Sequence, residues 1–353
     1  MLGPGPCYGK LMSGRHLVTG GAGFIGANHV DRLLARGEEV VVYDNLSRPG
    51  SQHNLSWLWD RHGRDAFRLV EADVRDGDRL ARAVAEASVV VHLAGQVAVT
   101  RSLAEPREDF LVNAFGTLNL LEAARRCKRP PIVVYASTNK VYGDLHDLRI
   151  VEEATRYRCA ELPNGVPETR CLDLRSPYAC SKGAADQYVR DYHRSYGLPT
   201  VVLRQSCVYG PRQFGSEDQG WVAWLAIAAV CGRPITIYGN GKQVRDLLWV
   251  DDLLDCFDLV VERIETAAGQ VYNVGGGPRH TLSVWGELGP RLSRLVGCEL
   301  EAVHGPWRAA DQKVFVADIG RAEAELGWRP RMGVDAGLAR LVEWVRENRG
   351  LIE

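Results

Sequence analysis

A short apolar run at 16–19 leads directly into Thr19-Gly20-Gly21-Ala22-Gly23-Phe24-Ile25-Gly26, which opens a helical pattern over 24–35 that Gly37 stops. Three glycines at GxxGxxG spacing, set between a strand and a helix, restrict the fold more than any other feature of the chain. Gly20 permits a tight turn. Gly23 lets the backbone approach a pyrophosphate, and Gly26 lets the helix pack closely on the strand. The helix N-terminus then offers free amides and a positive dipole end to phosphate oxygens. The glycines alone would be weak; the strand–turn–helix context reads them as a dinucleotide-binding turn.

The rest of the first half agrees with that turn. Apolar runs at 40–43, 68–70, 89–93, 132–137 and 200–203 alternate with helical patterns at 80–87, 103–127 and 177–196. Continuous apolar strands separated by helices imply an α/β fold, a Rossmann-type doubly wound parallel sheet covered on both faces. Ser176 suits the N-cap of the 177–196 helix and Pro177 its first turn. The segment 151–175, with Pro163-Asn164-Gly165, reads as a long loop or lid. Beyond 203 the alternation ends. The pattern 235–238, Asn240-Gly241, 244–249 predicts a strand, a tight turn and a strand, and 282–347 is mostly helical. With 353 residues the chain exceeds one average core. We divide it into a dinucleotide-binding domain, 13–206 with 244–284 returning to it, and a smaller mixed C-terminal substrate lobe, 207–243 and 285–353.

Composition excludes some classes. The net charge of −1 gives no reason to expect nucleic acid or an anionic membrane as partner. The longest apolar run, 221–231, is too short to span a bilayer and reads as a buried helix. The first fourteen residues lack the apolar run of a secretory signal and read as a flexible lead-in, with Met12 an alternative start. Nine cysteines, an odd number without a CxxC pair, imply reduced, mostly buried thiols in a cytoplasmic protein. No Cys/His cluster suggests a metal.

Asp44 ends the second strand, where a carboxylate accepts both ribose hydroxyls of NAD and repels the extra phosphate of NADP, although the guanidinium of Arg48 nearby could hold that phosphate. Asp73 and Val74 follow the third strand, where Asp73 either meets the adenine or caps a turn. Leu93, Ala94, Gly95 and Gln96 end the fourth strand at the same sheet edge. With Phe24, Ile25, Asn45, Ser47, Asn113 and Ser206 they complete the expected NAD site. Tyr178 and Lys182, four apart on one helix, face the same way. An ammonium beside a phenol lowers the phenol's pKa, so Tyr178 is the candidate general base. Thr138, just past the fifth strand, places a hydroxyl at the same edge.

These motifs, with Ser137-Thr138-Asn139-Lys140-Val141-Tyr142-Gly143-Asp144, resemble the extended short-chain dehydrogenase/reductase family. Gly95-Gln96-Val97-Ala98, Ser176-Pro177-Tyr178, the run from Cys180 to Tyr188, Asp218-Gln219-Gly220-Trp221 and the run from Gly241 to Asp246 are similar to its members that invert C2 of CDP-linked hexoses. The similarity covers nearly the whole chain from Ser13. The resemblance implies Thr138, Tyr178 and Lys182 as catalytic residues and a tightly held NAD that takes a hydride from C2 and returns it to the other face of a transient 2-keto sugar. It implies that Val97, Thr100, Asn139, Cys207, Gln219 and Gly220 line the sugar site, that Arg245 and Arg308 hold the nucleotide diphosphate, and that Asp311 accepts the ribose hydroxyls; each of these charged residues could instead form a surface ion pair. It further implies a homodimer or homotetramer, with the 103–127 and 177–196 helices either pairing subunits or only covering the sheet. Related 4,6-dehydratases carry Asp-Glu after the catalytic Thr. Asn139-Lys140 stands there instead, and neither can protonate a leaving hydroxyl as a carboxylic acid does.

Three positions depart from the family pattern: Arg101, Arg175 and Cys207. The two cations make a more polar or acidic sugar conceivable. The rival readings are a 4-epimerase or another NAD-dependent redox enzyme on a UDP- or GDP-sugar and, in a different class, a non-catalytic NAD-binding regulator, against which the intact Thr138, Tyr178 and Lys182 argue.

Overall fold

The structure, a computed structural model, describes residues 14–308 and 311–352; most of the N-terminal lead-in lies outside them. Seven parallel strands form the central sheet: β1 His16–Thr19, β2 Val40–Asp44, β3 Arg68–Glu71, β4 Val89–His92, β5 Ile132–Thr138, β6 Thr200–Gln205 and β7 Val271–Val274, in the order β7-β6-β5-β4-β1-β2-β3. The order reverses between β1 and β4, which opens a crevice at the carboxyl ends of these strands. β2, β4 and β6 are buried along their whole length, as expected of Val-rich strands covered on both faces. The seventh strand comes from late in the chain and pairs with β6.

Helices α1 Phe24–Ala35, α2 Ser51–His62 and α3 Gly77–Ala85 flank the first three strands. The expected helix over 103–127 is broken into α4 Val99–Ala104, α5 Pro106–Phe110, a π-helical turn Leu111–Phe115 and α6 Gly116–Arg125. Pro106 supplies no N–H and forces Glu105 out of the helical region (φ −129°, ψ 62°), so the break was readable from the sequence. The π turn was not. Helix α7 Pro177–Tyr196 begins as expected: Ser176 Oγ accepts the Ala179 amide at 3.1 Å. Helix α8 Trp221–Cys231 is apolar all round and buried on most sides.

Three sequence expectations need correction. Thr236–Tyr238 and Val244–Trp249 are strands but not a hairpin. Gly239 and Gly241, both at positive φ, turn the chain between two sheets. Thr236–Tyr238 pairs with Val303–Gly305, whereas Val244–Trp249 pairs with Cys207–Tyr209, Thr281–Ser283 and Val314–Phe315. The 151–175 segment is not all loop: Ile150–Glu152 and Tyr157–Cys159 form an antiparallel pair, closed where Glu153 N donates to Arg156 O. The cysteines are not mostly buried. Among the described residues Cys256 alone is buried, and Cys171, Cys180 and Cys298 are exposed; none is disulfide-bonded.

Candidate active site

The crevice at the switch point is a cavity of about 270 Å³. Its floor is the glycine turn. Gly20 sits at φ +70°, and a Cβ there would lie 2.8 Å from the Ala94 amide nitrogen. A Cβ on Gly26 would lie 2.1 Å from the Gly20 carbonyl oxygen. The bare backbone therefore lets turn, helix start and β4 end converge, and Gly23 caps α1 with no side chain in the way. Phe24, Ile25, Asn45, Ser47, Arg48, Asp73, Val74, Leu93, Ala94, Gly95, Gln96 and Val97 also line the cleft, as do Tyr178, Lys182 and Gln219.

Asp44, buried at the end of β2, accepts the Ala22 amide at 3.0 Å and the Leu46 amide at 2.8 Å. Burial raises its pKa, and these amides hold it down. Asp73 also serves as a turn cap, accepting the Arg75 amide at 2.9 Å. The Arg75 guanidinium holds its carboxyl down to about 2. Arg48 reaches across the cleft to donate to Gln219. Arg101 lines the cleft, but Arg175 does not; it pairs with Asp173 at 2.7 Å.

The catalytic candidates meet where β5 ends and α7 begins. Thr138 and Tyr178 are both buried, and the Thr138 hydroxyl favours the Tyr178 phenolate while itself accepting the Lys140 amide at 3.2 Å. Lys182 Nζ donates to the Ala136 carbonyl at 2.5 Å and lies 4.3 Å from the centre of the Tyr135 ring. The expected low phenol pKa is not delivered by the protein alone. Burial pushes Tyr178 up to about 12 and Lys182 down to about 7, because desolvation penalises the charged form of each group.

Asn139 and Lys140 form the turn after Thr138. There Lys140 meets Asp311 at 3.7 Å, and Arg245 binds the same carboxylate at 2.7 Å. Asp311 is thus engaged by two cations. Cys207 sits in the field of both and takes a hydrogen bond from Trp221 Nε1 at 3.3 Å. Arg308 stands apart, 3.9 Å over the Tyr238 ring and 3.4 Å from Asp218. Gly220, at positive φ, caps α8, and Thr100 lies on α4.

Two expected cofactor residues do not line the cavity. Ser206 donates to buried Asp246; its neighbour Gln205 faces the cleft instead, because successive strand residues point to opposite faces. Asn113 lies behind the wall and clasps Gln96, accepting its amide at 2.9 Å and donating to its carbonyl at 3.0 Å. The sequence reading missed Gln205, Asn54, Arg212 and Gln213, all cleft-lining. Gln205 Nε2, Asn54 Oδ1 and Gln213 Oε1 are buried without hydrogen-bond partners among the described residues. Such atoms are costly unless a ligand satisfies them, and the mixture of one donor and two acceptors suits a polar cofactor.

Glycine turn, acid-ended β2 and the Thr–Tyr–Lys set together define a dinucleotide-dependent enzyme of the extended short-chain dehydrogenase/reductase type. The family model described as GDP-mannose 4,6 dehydratase matches residues 17–341, and the chain belongs to that family. Over 335 residues it is 42% identical to a CDP-paratose 2-epimerase of Salmonella typhi, covering 93% of this chain and 98% of the relative. It is 36% identical over 338 residues to a UDP-glucose 4-epimerase of Mycolicibacterium smegmatis, covering 95% and 99%. Among solved structures it is similar to the dTDP-glucose 4,6-dehydratase DesIV of Streptomyces venezuelae with NAD bound, at TM-score 0.82 and 33% identity, covering 96% of this chain and 99% of that one.

Proposed function

We propose that the protein is an NAD-dependent epimerase that inverts C2 of a CDP-linked hexose. The observation that carries this reading is the chemistry around Thr138. A hydroxyl, a phenol and an ammonium converge there, while the next two positions hold an amide and an ammonium paired with Asp311. That set can move a proton to and from a sugar hydroxyl, but it offers no carboxylic acid beside Thr138 for expelling water. The likeness to CDP-paratose 2-epimerase supports C2 and CDP.

NAD, when bound, accepts a hydride and returns it, so inversion consumes no oxidant. Asp44 would accept its ribose hydroxyls and the Gly20–Gly26 turn its pyrophosphate. Arg48, committed to Gln219, is not directed at a 2′-phosphate. Tyr178 Oη takes the proton of the C2 hydroxyl and later gives it back. Thr138 orients that hydroxyl, and the Lys182 charge favours the phenolate once substrate and cofactor close the site. Arg245 and Arg308 supply positive charge for the diphosphate. Arg101, at the cleft wall, favours a polar sugar.

The test is incubation with a panel of CDP-, UDP-, GDP- and dTDP-sugars in ordinary water, with product NMR. We expect a CDP-hexose inverted at C2, with deuterium carried at C2 of the substrate retained. Washing-in of solvent hydrogen at C2 would refute hydride return. Turnover confined to a UDP-sugar inverted at C4 would establish the rival reading, which the 4-epimerase relative favours.

A further inference from the structure

We propose that Asp109 is a positioning residue of this site: its buried carboxylate clamps the cleft wall at residues 95–98 to the catalytic helix α7, holding Tyr178 and Lys182 in register with that wall. The proposal rests on the reading that Tyr178 and Lys182 carry the proton chemistry.

Asp109 ends up 1% exposed, although it lies in a run of charged residues that reads as a solvated face. Three segments donate to it. Ser181 Oγ, from α7, reaches Oδ2 at 2.5 Å. Gln96 Nε2, from the wall, and Asn113 Nδ2, from the π turn, reach Oδ1 at 2.8 Å and 3.1 Å. All three donors are neutral. Gln96 is in turn immobilised: Asn113 clasps its backbone, and its side chain closes on Ala98, accepting the amide at 2.6 Å and donating to the carbonyl at 2.9 Å. Ser181 immediately precedes Lys182 and lies three residues after Tyr178. One acceptor thus fixes the spacing between cofactor wall and catalytic helix. A carboxylate suits this place because it accepts at both oxygens, where an amide accepts at one.

Its charge acts on the same pair. The groups around Lys182 are Asp186 on α7, Asp109 on α5, the Tyr135 ring on β5 and His92 on β4, which burial keeps neutral. Asp186, the larger of the two acidic influences on Lys182, is paired with Arg204 at 2.9 Å. Asp109 has no such cation among the described residues, so its field reaches Lys182 and Tyr178 uncompensated and raises the pKa of both. Removing the charge must lower both.

The experiment pairs Asp109→Asn with Ser181→Ala and Ser181→Thr. In Asp109→Asn we expect lower turnover and both limbs of the pH profile moved toward acid by about one unit. The Lys182 midpoint, read by NMR of labelled lysine in a chain with six lysines and assigned with Lys182→Met, should move the same way. Ser181→Ala keeps the charge and cuts the clamp. Turnover should fall between about 10- and 100-fold with the profile unmoved, and Ser181→Thr should restore it. A folded Asp109→Asn protein with unmoved profile and midpoint overturns the charge argument; Ser181→Ala with wild-type turnover overturns the clamp. Should Asp109→Asn fail to fold, the Ser181 pair decides. If the wild type turns over no nucleotide sugar, the functional reading fails, while the lysine midpoint still tests the influence of Asp109 on Lys182.

Discussion

Gly26→Ala adds one methyl group at the start of α1, and the structure says where it goes. The new Cβ would stand 2.1 Å from the Gly20 carbonyl oxygen and 2.7 Å from the Gly21 Cα. All of these are backbone atoms, so no side chain can swing aside. Relief requires roughly 1.4 Å of separation between the helix start and the turn, because non-bonded heavy atoms settle at about 3.5 Å. Overpacking of this kind costs about 1–3 kcal/mol. The displaced atoms are the amides that would cradle the pyrophosphate. If the whole cost falls on the bound state, NAD affinity drops about 5- to 150-fold. The assay is NAD titration into charcoal-stripped protein, read by tryptophan quenching. Gly333→Ala, where nothing lies within 4 Å, is the control. A Gly26→Ala protein that binds NAD within twofold of wild type would refute the close-packing argument.

Further outcomes follow from other parts of the molecule. Tyr178→Phe should lower turnover by roughly 10²–10⁴-fold and leave cofactor content near normal, measured after denaturing the purified protein; unchanged turnover would remove Tyr178 as the base. Arg204→Met strands Asp186, which is fully buried, and should destabilise the fold by about 3–5 kcal/mol in a denaturant titration; a loss under about 1 kcal/mol would contradict the buried-pair reading. His29 and His92 are both held down to about 3, chiefly by burial, from the ordinary 6.5. Each is neutral in the fold and takes up a proton once unfolded. Their contribution is therefore complete above pH 6.5 and is lost as pH falls toward 3. His29→Leu should flatten that part of a melting-temperature profile; an unchanged acid slope would count against it. Leu103, Phe110, Phe115, Tyr188 and Tyr196 expose large apolar surface along α4–α7, and we expect a homo-oligomer by light scattering that Phe110→Ser with Tyr196→Ser weakens.

What could be read from the sequence was local. A glycine turn between an apolar run and a helical pattern, or Tyr178 and Lys182 one helical turn apart, declares itself in a few consecutive residues. The Ser176 cap and the bounds of α1, α7 and α8 belong to the same kind of signal. Contacts made across the chain left no such trace. Asp109 is separated from Ser181 by 72 residues, and nothing in its immediate neighbours pointed to that partner. Gln205 and Ser206 differ only in the face they present, which depends on where β6 ends. Asp311 was read as a ribose acceptor or a member of an ion pair, but its partners, Arg245 and Lys140, arrive from two other segments. The electrostatics of Tyr178 were misjudged because spacing reports a nearby ammonium but not the burial that opposes it.

The π turn at Leu111–Phe115 makes the rod from Pro106 to Arg125 a device with two phases. An α-helix advances about 100° per residue, and one wide turn offsets all that follows by about that angle. Asp109 and Asn113 can therefore brace the back of the cleft wall at Gln96 while Leu120, Leu121 and Ala124 still meet the sheet. A straight helix of the same sequence could satisfy only one of these alignments. Loss or gain of a single residue here would put the two ends out of phase, so this surface helix should tolerate substitutions on its outer side far better than any change in length.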